Sequence, residues 1–124
     1  MTWSSAASIL LALAVTLGAF GAHVLRARLD AYSMSVYEKA AFYHFTHALG
    51  LLIVSLLPKT GTLAHPSANW VCALLMAGIA LFSGSLYLLA VTGNRMLGMI
   101  TPLGGVSFIA AWLLLAWFLL AQRS

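Results

Sequence analysis

Charge in this chain is confined to the seams. All six basic and both acidic residues fall outside four apolar stretches, residues 3–25, 40–57, 68–93 and 96–121. Each stretch approaches or exceeds the ~20 residues that carry a helix across ~30 Å of hydrocarbon. A soluble domain with 63% hydrophobic residues lacks the polar surface to cover its exterior, and a mean hydropathy of +1.02 belongs to a bilayer. Unbroken apolar runs lack the alternation of a barrel strand, so helices are the spanning element. The expectation is an all-α polytopic membrane protein, one domain over residues 1–124, with four transmembrane helices.

The first stretch begins without Lys or Arg and runs past the length of a signal peptide, so it reads as a retained helix. The second is the shortest, ending at Pro58. Arg26, Arg28, Lys39 and Arg95 lie in the connectors after the first and third helices, against Lys59 and Arg123 on the opposite face. The positive-inside rule then puts both termini on the non-cytoplasmic side. A formal net charge of +4 made of basic residues at membrane ends requires no nucleic-acid partner. Cys72 is unpaired and reads as a small packing residue, and the common soluble-enzyme motifs are absent.

Between the first two stretches, residues 26–39 mix polar and apolar positions and hold both acids, Asp30 and Glu38. Leu29, Tyr32 and Val36 recur at helical spacing, which predicts a short amphipathic connector at the membrane surface, with an ordinary solvated loop as the alternative. In the next connector Gly61 and Pro66 break structure, and Ser67 or Asn69 is placed to cap the third helix.

Chemistry concentrates in the second helix. His44 and His47 stand three residues apart on one helical face, and Tyr43 is four residues before His47. Paired imidazoles can ligate a metal or haem, but a complete site needs more ligands than this pair supplies, so no metal or catalytic residue is assigned and the cofactor is unknown. The plainer reading is interhelical hydrogen bonding. His23 flanks the same connector, and a hairpin of the first two helices would bring it toward the His44/His47 pair. In the third helix Ala73, Ala77, Ala80 and Gly84 form a small-residue stripe suited to packing, with Ser83, Ser85 and Tyr87 beside it. Pro102, Gly104 and Gly105 open the fourth helix as a first-turn proline or a mild kink. Trp112 and Trp117 are lipid-facing or interfacial candidates.

GAFGAH, YHFTHALGLL, LFSGSLYLL and TPLGGVSFIAAWLLL occur in this order along nearly the whole chain. In these motifs the sequence resembles the YgdD/YwdK-like family of small bacterial membrane proteins, a family without an established activity. The resemblance implies a four-helix inner-membrane protein. It marks Gly18, Gly21, His23, Tyr43, His47, Ser83, Gly84, Ser85, Tyr87, Thr101, Pro102, Gly104 and Gly105 as candidates without giving them roles.

Two classes of function follow from the residues. One is a binding or transport module, homo-oligomeric, with a polar intramembrane site for a small molecule or lipid lined by His23, Tyr43, His44, His47, Ser83, Ser85, Tyr87 and Thr101. The other is a structural or accessory membrane subunit without a ligand, and a haem or metal redox protein through His44/His47 stands behind both. No span contains a carboxylate, which removes the usual proton carrier of small multidrug transporters.

Overall fold

The computed structural model describes residues 1–122. Helix α1 (Trp3–His23) starts where the Thr2 hydroxyl accepts the backbone N–H of Ser5 at 3.0 Å. A 3₁₀ turn (Leu25–Ala27) leads to Asp30, whose carboxylate accepts from Ser33 N at 2.7 Å and caps α2 (Ala31–Leu56). That bond, stronger to the ionised form, holds the Asp30 carboxyl below its ordinary range. The connector helix expected over residues 26–39 is therefore not a separate element. From Ala31 on it is the first turns of α2, because nothing between Asp30 and Pro58 breaks the helix. The second span, shortest by apolar length, is in fact the longest helix.

A 3₁₀ turn (Leu57–Thr60) and Gly61, at φ 74°, reverse the chain. Helix α3 (His65–Gly78) begins with Pro66 in its first turn and has no side-chain cap, so neither Ser67 nor Asn69 fills that role. Asn69 instead accepts the Trp3 indole N–H at 3.1 Å. The third span is interrupted by a π-helical turn (Ile79–Ser83) before it continues as α4 (Gly84–Thr92). After a 3₁₀ turn (Arg95–Met99), α5 (Thr101–Ala121) starts with Pro102 in its first turn, the benign reading of that proline. The four spans, Trp3–Ala27, Ala31–Thr60, His65–Thr92 and Arg95–Ala121, are each long and apolar enough to cross a membrane.

Packing is uneven among the spans. Helix α1 lies along α2, α3 lies along α5, and α2 also meets α3, the π turn and α4, whereas α1 and α5 share no substantial contact. The second and third spans thus form the inner pair, flanked by α1 and α5. One core cluster joins Ala7, Ala48, Leu51, Val71, Cys72, Leu75 and Phe108, and the other joins Leu25, Tyr37, Ala40, Leu86 and Leu89. On α5, Leu103, Val106, Ile109, Leu113, Trp117 and Leu120 remain exposed, an outward face suited to lipid.

Lipid tails are as apolar as leucine, so helices in a bilayer gain from close approach rather than from leaving water. Large rings fill the space left by missing side chains. A Cβ added at Gly21 would meet the Tyr37 ring at 2.4 Å, and one at Gly78 would meet Phe108 at 2.3 Å. At Gly104 it would strike the Phe82 backbone nitrogen at 2.3 Å, so α5 lies against the π turn itself. The anticipated stripe is not the packing face: Ala73 and Ala80 are exposed, and a Cβ at Gly84 would meet nothing.

Candidate functional site

Two residues of α2, one turn apart, have opposite hydrogen-bonding states. His44 is 2% exposed and uses both ring nitrogens. Its Nε2 lies 2.9 Å from the Leu10 carbonyl of α1, and its Nδ1 lies 2.9 Å from the Tyr87 hydroxyl of α4. A carbonyl only accepts, so in the neutral imidazole Nε2–H donates to Leu10 and Nδ1 accepts from Tyr87. Three spans are thereby joined through one ring. Tyr37, two turns earlier on α2, donates to the Leu17 carbonyl at 2.5 Å and packs edge-on against Tyr87 at 5.2 Å. This network leaves His44 no lone pair for a ligand or a metal.

His47 meets a different neighbour. Its Nδ1 is 2.9 Å from the carbonyl of Tyr43, one turn back on the same helix, so Nδ1 carries the proton and Nε2 carries a lone pair. Among the described residues, that Nε2 has no hydrogen-bond partner. The ring stacks on Phe108 of α5, with centroids 3.6 Å apart and planes at 19°, and Trp112 lies 5.8 Å away. The Tyr43 ring runs nearly parallel to His47 at 5.8 Å and reaches Phe82 at 4.6 Å. Tyr43 and Trp112 are partly exposed, at 36% and 38%, whereas the imidazole is 7% exposed. His47 is thus enclosed by aromatic rings of α2, the π turn and α5, with the partly exposed Tyr43 and Trp112 on its outer side.

The remaining candidates divide. Ser85 bonds Thr101 at 2.6 Å and the Phe82 carbonyl at 3.0 Å, which ties α4 to the start of α5 beside the π turn. Ser83, at the end of that turn and 1% exposed, has a buried hydroxyl with no partner among the described residues. The antiparallel register fixed by the His44–Tyr87 bond sets Ser83 level with His47 and Ala48. His23 does not join this group. It is exposed at the end of α1, thirteen residues beyond Leu10 and so about 20 Å further along the axis. Tyr43 contributes its ring and its carbonyl to His47, not its hydroxyl. Among the described residues no group of three or more His, Cys, Asp and Glu side chains converges as a metal site.

Three contributors were not visible as site residues in the sequence: Phe108, Phe82 and the Leu10 carbonyl. Helical spacing identifies a face of α2, but which neighbour meets that face is set by the packing of the other spans. At the opposite end of the spans, charge stays superficial. Arg26 pairs with Glu38 at 3.0 Å on the surface, and Arg95 sits 4.9 Å over the Tyr32 ring.

Fold and site define a small polytopic membrane protein with polar groups joined across its spans. Residues 17–105 match the family described as "Protein of unknown function (DUF423)", and the chain belongs to that family. It is 50% identical over 103 residues to a UPF0382 membrane protein of Staphylococcus saprophyticus, covering 83% of each chain. A UPF0382 membrane protein of Staphylococcus epidermidis is 50% identical over 103 residues, 83% of this chain and 82% of its own. The UPF0382 membrane protein YwdK of Bacillus subtilis is 48% identical over 105 residues, 83% of each chain. No solved structure matches.

Proposed function

We propose that this protein is a membrane-embedded binding module for an apolar small molecule carrying a hydroxyl or N–H group, held at His47. The observation that carries the reading is the lone pair on His47 Nε2, which has no partner among the described residues although its ring is nearly buried in a span. Polar groups within the bilayer are costly when unpaired, and a ligand that donates to Nε2 relieves that cost. The partly exposed rings of Trp112 and Tyr43 supply flat apolar surface for the ligand body. The Tyr43 carbonyl keeps the proton on Nδ1 and so keeps Nε2 an acceptor. We place the protein in the bacterial plasma membrane with both termini outside the cytoplasm, on the excess of basic residues at the end of the spans that holds Arg26, Arg28, Lys39 and Arg95. Arg123, counted on the other face, lies outside the described residues.

A second reading, a structural or accessory subunit, is favoured by the His44 network, whose polar atoms are all used internally. Small molecules retained in lipid nanodiscs separate the two. Wild-type protein is expected to carry an apolar hydroxyl or N–H compound that His47→Phe loses while keeping its fold. An identical set of retained compounds in both proteins would leave only the accessory reading.

A further inference from the structure

A separate cleft opens at the membrane end where α1 begins, α2 finishes and α3 starts. Its volume is about 580 Å³, within the range of small-molecule sites. Ala6, Pro58, Ala68 and Met76 give it apolar walls, and Lys59 and His65 also line it. The other polar side chains in the cleft satisfy one another. Ser4 bonds Ser55 at 3.0 Å, and the Trp3 indole donates to Asn69 at 3.1 Å. Among the described residues Lys59 has no such partner, and both acidic side chains of the chain are toward the far end of α2. Asp30 caps that helix, and Glu38, which holds Arg26, is about 30 Å from Lys59 by helix rise. No described residue therefore brings a negative side chain to this cleft.

We propose that the cleft binds one anionic phospholipid, with the phosphate at Lys59 and His65 and the upper acyl carbons against Ala6, Ala68 and Met76. Three features select this occupant over a soluble anion. The cleft lies at the end of the spans, at the depth of lipid headgroups. Its apolar walls have no use for a bare phosphate. Helix α3 starts there without a side-chain cap, so the backbone N–H groups of His65 and Ser67 in its first turn add to the attraction for an anion, Pro66 having none. On the orientation proposed above, this is the outer leaflet.

The test is native mass spectrometry of protein released from vesicles of equal phosphatidylglycerol and phosphatidylcholine. Wild-type protein is expected to retain phosphatidylglycerol in preference by about fivefold, the effect of one lysine at an anionic surface. Lys59→Gln should abolish the preference and Lys59→Arg should keep it. Ala6→Leu and Met76→Phe, which narrow the cleft without changing charge, should each reduce it, with folding of every variant checked by helicity and thermal unfolding. His47→Phe should leave it unchanged, which separates this cleft from the His47 site. A preference that survives in every folded narrowing variant would overturn the proposal in favour of diffuse surface attraction. Equal competition by millimolar inorganic phosphate would overturn it in favour of a simple anion site.

Discussion

His44 and His47 share a helix, a residue type and nearly the same depth, yet one is closed and the other open. Three residues advance a helix by about 300°, so the two rings differ in direction by about 60°. That angle turns His44 toward α1 and α4, where a carbonyl and a phenol consume both nitrogens, and His47 toward α5, where it meets only aromatic carbon. A histidine in a membrane span thus carries no fixed meaning. Its role depends on whether the neighbouring helix offers a donor, an acceptor or neither.

Substitutions can break this contrast from either side. The largest effect is expected for His44→Ala, which leaves a void among three spans and orphans the Tyr87 hydroxyl, at about 2–4 kcal/mol. Equilibrium unfolding in mild detergent measures it, and a loss under 1 kcal/mol would show that the three-way link is dispensable. Gly104→Ala comes next, at about 1–3 kcal/mol of overpacking, because its Cβ would meet the Phe82 backbone. It should push α5 away and loosen the His47–Phe108 stack while sparing the His44–Tyr87 bond, as read from histidine ¹⁵N resonances. Tyr87→Phe removes one interhelical hydrogen bond, worth about 0.6–1.7 kcal/mol in a bilayer, and should free the His44 Nδ1 lone pair. His47→Phe should change stability least, by under about 1 kcal/mol, since a similar ring still stacks on Phe108. A large destabilisation by that variant would mean that His47 is structural after all.

The spans were legible because excluding charge from hydrocarbon leaves a pattern that no later packing can hide. The start of α2 was not. Residues 31–39 have the polarity of a surface segment, and a window tuned to apolar runs cuts the helix at Ala40. The sign of continuity was the Asp30 cap, with Ser33 three residues on and no breaker behind it. His44 and His47 were correctly read as sharing a broad face, and interhelical bonding was foreseen as the plainer outcome, which holds for His44. The sequence could not show which partners they meet. Phe108 is sixty-one residues from His47, and nothing local marks it. The placement of His23 near the pair failed for a geometric reason: the Leu10 contact puts His44 midway along α1, whereas His23 ends that helix. The alanine stripe failed because periodicity identifies a face and not what covers it.

The π turn at Ile79–Ser83 gives the third span an unequal tolerance of length change. Its rings close over five residues instead of four, so the turn holds one residue more than an α-helical turn in the same place. Losing a residue there lets the segment relax to an ordinary helix while Tyr87 on one side and Leu75 on the other keep their headings. Losing one from Ala40 to Phe42 of α2, which is α-helical throughout, has no slack to absorb it, and rotates Tyr37 by about 100° relative to His44 and so away from the Leu17 carbonyl. Comparable single-residue deletions in the two inner spans should therefore divide into those the fold accepts and those that unlatch it.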